Sequence, residues 1–463
     1  MNDLLETIGY PLPEDIEKLK WAGYFDECLQ VIDQRMKENI PNSLRRKLEM
    51  EKIQIGRMRR NYTVTPEEAE RVLAEHLRDY HAGELDQLRR ENVLDWIFVE
   101  GQVRYISSFY ENLIKIRGDI AARQLQPRET EPGRRTETEI RDDTIAFMKA
   151  HGGAVCRIQL RATIKADLSG ADPAETVRLW LPYPIEGYQV RNLKLESCIP
   201  AAAKSAPPDT PQRTLYFEGK AAELSQAEIV YSFENHTRYV NLDPDQTDPK
   251  QPSHKFLGEE LPHITFTPYL RALTAEVVGE ETNALRKARR IYDFITTQVN
   301  YSYMRSYLSL PVIPEYCASR LRGDCGVQAL TFITMCRIAG IPARWQSGLY
   351  ANENEAWSHD WAMFYVAPFG WLFADCSYGG AAWRDSAKER WDFYFGNLDP
   401  YRVVLASEFQ KDFTPATKYV RGDPYDNQHG EAELAHSPLD PALWMGEAEV
   451  LVAELLPPSG NYA

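Results

Sequence analysis

The sequence predicts an α+β protein built in three parts, and the prediction rests on changes in hydrophobic period along the chain. Apolar residues recur at spacings of three and four up to about residue 126, alternate with polar ones between 157 and 233, and become mixed after 254. A chain of 463 residues has room for about two to four domains. We expect a helical domain over 1–126, an antiparallel β-sandwich domain over 140–242, and an α+β domain over 254–463 that ends in strands.

In the first part, Leu29, Ile32 and Met36 form one helical stripe. Thr65, Pro66 and Glu68 read as a helix start: the threonine caps, the proline suits the first position, and the glutamate closes a capping box. The helix that follows carries Ala69, Val72, Leu73, His76 and Leu77 on one side, with His76 read as a packed or half-exposed helix residue. Residues 93–116, with Trp96, Ile97, Val99, Val103, Ile106, Phe109, Leu113 and Ile116, read as amphipathic helix. Arg57, Arg59 and Arg60 form the tight basic cluster, expected to be a solvated helix face.

Residues 126–139 hold two prolines, one glycine and no large apolar side chain, so we place a linker there, then a short helix over 143–149. Strands are expected at 157–164, 177–181, 190–195 and 227–233, without intervening helices, which points to a sandwich. A second connector covers 243–253. Beyond it, 282–299 is an amphipathic helix carrying Leu285, Ala288, Ile291, Tyr292 and Ile295, and 325–339 is a second helix stopped by Gly340, Ile341 and Pro342. Residues 361–366 and 371–374 read as two strands joined by a turn at Pro368, Phe369 and Gly370, and the tail adds strands.

The balance of 53 Lys+Arg against 68 Asp+Glu gives a formal net charge of −15. That argues against a nucleic-acid or anionic-membrane partner, since phosphates repel an acidic surface. The first residues carry acids where a secretory signal carries positive charge, and no stretch approaches the roughly 20 apolar residues of a membrane span. The expectation is a soluble, cytoplasmic protein. Seven cysteines without regular spacing read as free thiols and not as a disulfide framework.

One of them stands where a thiolate is stabilised. Gly323, Asp324, Cys325 and Gly326 place Cys325 where a loop becomes a helix, facing the first-turn N–H groups. His359 opens the first strand of the later hairpin and Asp375 closes the second, so the two are expected as cross-strand neighbours at hydrogen-bonding distance. A carboxylate on one imidazole nitrogen fixes the tautomer and leaves the other to take a proton from a thiol. Cys325, His359 and Asp375 thus form a nucleophile, base and orienter set.

The run Gly323-Asp324-Cys325, the helix ending Arg337-Ile338-Ala339-Gly340-Ile341-Pro342-Ala343-Arg344, then His359-Asp360-Trp361 and Gly370-Trp371 leading to Asp375 resemble the transglutaminase-like superfamily. That superfamily includes transglutaminases, papain-related bacterial peptidases and peptide N-glycanases. The helix over 288–295 followed by Val299, Asn300 and Tyr301 is also similar to the family's entry to its core. The resemblance covers about 90 to 100 residues and implies a papain-like core. It also implies Cys325 as nucleophile, His359 as general base and then acid, and Asp375 as the orienting carboxylate. Family members often follow the Asp with Pro and Thr; here Cys376, Ser377 and Tyr378 follow.

For an oxyanion hole the backbone N–H of Cys325 is one donor, and Tyr301 or Tyr303 is a candidate second. A zinc site built from Cys325, His359, Asp375 and Cys376 lacks a close ligand pair, and Glu259-Glu260 and Glu280-Glu281 do not match a calcium loop, so no metal and no cofactor is expected. His254 and His263 read as surface or turn histidines. Residues 422–431 read as a solvated loop, the alternative being a loop that packs near the cleft. The expected reaction is acyl transfer at an amide, with a peptide or protein substrate. With water as acceptor it is hydrolysis by a peptidase or amidase, the preferred reading; with a primary amine it is protein-glutamine amine transfer. A non-catalytic binding module is the reading from another class.

Overall fold

The computed structural model of the chain describes residues 2–126, 133–253 and 255–458. Its N-terminal part is mainly helical, with helices Glu14–Ala22, Phe25–Arg35, Asn42–Asn61, Pro66–His76, Glu84–Arg90 and Phe109–Ile116. Thr65 and Glu68 form the reciprocal capping box at the start of Pro66–His76. Ile16, Phe25, Cys28, Ile32, Leu48, Ile55 and Met58 form one small core there, and Tyr62, Leu73, Leu85, Phe109 and Leu113 belong to another.

The stretch expected as helix over 93–116 is divided. Trp96–Val99 and Gln102–Tyr105 pair antiparallel, with Trp96 opposite Tyr105, and the helix begins only at Phe109. Glu100 and Gly101 between the strands both have positive φ, the two-residue turn whose twist matches a hairpin. Aromatic and β-branched residues at Trp96–Val99 suit a strand, and the turn decides in its favour.

Helix Glu137–His151 is longer than expected, because Thr136 and Glu139 form a second capping box inside the stretch read as a linker. Part of that linker, 127–132, lies outside the described residues. The sandwich consists of two four-stranded sheets. One orders Trp444–Leu456, Gly153–Ala166, Gln226–Arg238 and Val190–Ile199; the other orders Glu431–Leu434, Thr176–Pro182, Thr214–Lys220 and Lys204–Ser205. Strict alternation along Gln226–Arg238 buries Ala227, Ile229, Tyr231 and Phe233 against Leu179, Leu215 and Phe217. The last two strands of the chain therefore complete the sandwich and do not extend the sheet of the 254–463 segment, because their pairing partners are Thr176–Pro182 and Gly153–Ala166.

That segment supplies an antiparallel five-stranded sheet, ordered Phe395–Gly396, Gly370–Ala374, Ala356–Val366, Ala343–Ala351 and Arg402–Ala406. On one face Ala362, Phe364 and Val366 join the core of helices Ala284–Gln298 and Cys325–Ile338; on the other, Leu349, Trp361 and Val403 join the sandwich core. Helix Cys325–Ile338 is almost wholly buried, as its run of apolar residues requires. No helix among the described residues is long and apolar enough to cross a membrane.

Candidate active site

Asp324 caps the helix that Cys325 begins, accepting a hydrogen bond from Val327 N at 3.0 Å, and the Tyr307 hydroxyl donates to the same oxygen. Gly323 pairs with Tyr301 in a short parallel bridge, which brings the 301–309 loop beside the helix start. The half-buried Cys325 donates from Sγ to Asp360 Oδ2 at 3.6 Å. Burial, together with the carboxyls of Asp360 and Asp324, pushes the thiol pKa well above its ordinary value. The helix N-terminus alone favours thiolate, as expected from the sequence; in the folded chain desolvation and two nearby acids outweigh it.

His359 Nε2 lies 2.7 Å from Asp375 Oδ2, and both side chains are buried. Strand pairing ends with Ala362 opposite Ala374, so Asp375 falls opposite Trp361 and reaches His359 diagonally, two residues from its register position. Asp375 also caps helix Cys376–Arg384, accepting from Tyr378 N at 3.0 Å and from Ser377 Oγ at 3.2 Å. Burial alone raises the Asp375 pKa, but His359 and Arg402 outweigh it and hold the carboxyl below the usual range. An ionised carboxylate only accepts, so Nε2 carries the ring hydrogen and Nδ1 the lone pair. Burial lowers the His359 pKa against the pull of Asp375. Among the described residues no hydrogen bond joins Cys325 Sγ to His359: the thiol turns to Asp360, the imidazole to Asp375.

The cysteine opens onto a cleft of about 430 Å³ lined by Arg57, Tyr301, Tyr303, Asp360, Asp423 and Tyr425 among others. Of the two candidate oxyanion donors, Tyr303 is exposed at the rim. Tyr301 is half-buried, and burial, then the Cys325 charge, raises its pKa. Lys115 Nζ sits over both rings. A larger cavity of about 880 Å³ lies elsewhere, against helices Ala284–Gln298 and Lys388–Phe393; its Arg286, Arg289 and Lys388 are each paired with an aspartate.

Several residues of the site were not read from the sequence. Arg402 is fully buried, with Nη1 2.9 Å from Asp375 Oδ2 and Nη2 2.6 Å from Asp399. Its signal was an arginine heading the apolar run Val403-Val404-Leu405, three residues after an aspartate. The 407–430 segment packs against the cleft, so the solvated-loop reading of 422–431 does not hold. Gln428 Nε2 donates to Asp360 Oδ1 at 2.7 Å, and buried Arg421 collects the carbonyls of Lys411, Pro424 and Asp426. The arginine cluster is a solvated face only in part: Arg60 is exposed and Arg59 pairs with the exposed Asp26 and Glu100, whereas Arg57 turns inward and donates to Arg421 O. His263 is fully buried, its Nε2 2.9 Å from the Tyr425 hydroxyl, because Phe409 and Tyr425 pack around it; His254 lies outside the described residues.

The model of the transglutaminase-like superfamily matches residues 271–376. These residues belong to that superfamily. The transglutaminase-like segment contains Cys325, His359 and Asp375, whereas Arg402 and the 407–430 segment lie beyond it. An uncharacterized protein of Haemophilus influenzae is 25% identical over 232 residues, which are 42% of this chain and 62% of that protein, so the match spans less than two thirds of the relative. Among solved structures, a proposed cysteine protease from Cytophaga hutchinsonii is 14% identical with a TM-score of 0.41, covering 67% of this chain and 93% of that one. The periplasmic domain of TgpA from Pseudomonas aeruginosa is 15% identical with a TM-score of 0.27, covering 54% of this chain and 95% of that one.

Proposed function

We propose that the protein is a transglutaminase-like cysteine enzyme that transfers an acyl group from an amide, with water as the acceptor, on a peptide or protein substrate. Cys325 is the nucleophile, His359 the base and then acid, and Asp375 the orienting group. The observation that carries this reading is the buried 2.7 Å contact between His359 Nε2 and Asp375 Oδ2, which leaves Nδ1 as the acceptor. The sulfur turns from Asp360, gives its proton to His359 Nδ1 and attacks the carbonyl carbon. The imidazolium then protonates the leaving amine as the C–N bond breaks. A water, deprotonated by the same nitrogen, adds to the thioester carbonyl; the C–S bond breaks, the acid leaves and the imidazolium returns the proton to sulfur. The Cys325 backbone N–H is proposed as one oxyanion donor, and half-buried Tyr301 is a better second than exposed Tyr303. Seven free cysteines support the cytoplasm as the compartment.

Incubation with a peptide library, with and without a primary amine, tests the reading by mass spectrometry. Cleavage by the wild type that disappears in Cys325→Ala and in His359→Ala is the expected result. Amine incorporation instead of cleavage assigns the transferase reaction to the same residues. A product that persists undiminished in Cys325→Ala, or no product from the wild type, overturns catalysis by this thiol.

A further inference from the structure

We propose that Asp360 is a positioning residue that holds Cys325 as a neutral thiol in the free protein, facing away from His359. This rests on the reading of Cys325 as the nucleophile. Successive residues of a strand point to opposite faces. His359 accordingly turns toward Asp375 and the ring of Tyr378, and Asp360 turns toward the start of the cysteine helix. Asp360 Oδ2 accepts from Cys325 Sγ at 3.6 Å while Oδ1 accepts from Gln428 Nε2 at 2.7 Å, so both oxygens are engaged and the side chain is fixed from two elements. A Cβ built on Gly326 lies 2.7 Å from Asp360 Oδ2, which shows the carboxyl lying across the first turn at the residue after the cysteine.

The titratable groups that act on this pair are carboxyls and phenols, Tyr301 among them. Asp324 stands on the helix start, Asp423 and Asp426 on the 407–430 segment, and Asp375 at the end of the neighbouring strand; Tyr307 adds a phenol from its loop. The cations lining the cleft are engaged elsewhere: Arg57 with the Arg421 carbonyl, Arg60 with Asp440, and Arg305 with the Tyr62 hydroxyl. A carboxyl and a thiol this close lose their two protons in turn, because two negative charges at that distance repel strongly in a desolvated site. Burial and Asp324 push the Asp360 carboxyl well above its ordinary range, in agreement with this arrangement. The thiol proton is therefore retained until the contact with Asp360 opens.

The rate of iodoacetamide alkylation of Cys325, followed across pH by mass spectrometry of the peptide that carries it, tests the role without a known substrate. In full-length wild type the midpoint should lie above the ordinary thiol value of about 8.5. In Asp360→Asn and Asp360→Ala it should fall by at least about one pH unit, since each removes the competing negative charge. Variant profiles that coincide with the wild type, or move upward, overturn the proposal. A wild-type midpoint at or below about 8.5 overturns it as well, and decides alone if neither variant folds. Shifted profiles without acyl transfer sink the catalytic reading and leave the hold on the thiol intact. Acyl transfer lost in Cys325→Ala, together with unshifted profiles, sinks the role of Asp360 alone.

Discussion

Arg402 Nη1 lies 2.9 Å from Asp375 Oδ2, the same oxygen that His359 Nε2 meets at 2.7 Å. The guanidinium is fully buried, holds Asp399 with its other nitrogen, and lies against the rings of Tyr350, Tyr378 and Trp361. Replacing it by a similar apolar volume leaves two buried carboxylates without their cation. Arg402→Met should therefore cost about 3–5 kcal/mol, read from urea denaturation. Arg402→Lys keeps the charge but loses the planar fork, and should fall between that variant and the wild type. A denaturation curve for Arg402→Met that overlays the wild type would show that Asp375 and Asp399 are compensated by other groups.

Glu431 links stability to pH. It is 4% exposed, accepts from the Gly422 and Ala432 backbone N–H groups, and burial pushes its carboxyl up to about 7. Between its unfolded value and about 7 the folded chain holds a proton that the unfolded chain has released. Its contribution is thus full below the unfolded pKa and lost as pH rises through the folded one. Glu431→Gln is neutral throughout, so its stability relative to wild type should grow by up to about 3 kcal/mol between about pH 4.5 and 8. Asp375 acts in the opposite sense: its depressed pKa contributes stability that is present above about pH 4 and lost on further acidification. Urea titrations of both proteins across that range measure the difference. A gap that stays constant with pH would mean that Glu431 is ionised in the folded chain at acid pH.

What was legible in the sequence was local. Cys325 stands at a loop-to-helix step, His359 lies within the first strand of one hairpin and Asp375 follows directly on the second, so short windows suffice to single them out. The α+β class followed from periodicity for the same reason. Arg402 and Asp360 were not legible because their roles depend on which strand lies beside which, and on the two faces of one strand serving different partners. The 407–430 segment has no period to read; its path is set by hydrogen bonds from buried Arg421 to carbonyls within the segment and to Gln212 Oε1 in the sandwich region. Residues 96–105 were misread because a strand pair rich in Trp, Ile, Phe and Val also places apolar residues three and four apart, and only Glu100 and Gly101 mark the turn.

Gly326 tests the close packing at the cysteine. A Cβ there would meet the Tyr307 hydroxyl, Asp360 Oδ2 and the Trp345 ring. Alanine is the better helix residue by about 0.5–1 kcal/mol, but it has to displace groups that fix the helix start. Gly326→Ala should be net destabilising by about 1–3 kcal/mol. Gly56→Ala, inside helix Asn42–Asn61 where an added Cβ meets nothing, should be neutral or stabilising. Thermal melts of the two variants compare them directly. Equal melting temperatures would show that the Tyr307 and Asp360 side chains yield at no cost.

Asn112 fixes one wall of the cleft from the helical region. Its Nδ2 donates to Tyr303 O at 3.0 Å and its Oδ1 accepts from Tyr303 N at 2.6 Å, a reciprocal pair that satisfies the loop backbone as a strand partner would. Asn61 Oδ1 accepts from Ser306 N at 2.8 Å a short way along the same loop. Asn112 is 4% exposed, so its removal leaves backbone groups without partners where water has little access. Asn112→Ala should cost about 1–3 kcal/mol. Because the loss is confined to the loop, hydrogen exchange should accelerate at Tyr303 more than at Ser306, and the amides of helix Cys325–Ile338 should stay as protected as in the wild type. Acceleration spread evenly over the helix and the loop would mean that the two open as one unit. In that case Asn112 would secure the whole wall of the cleft and not only the 301–309 loop.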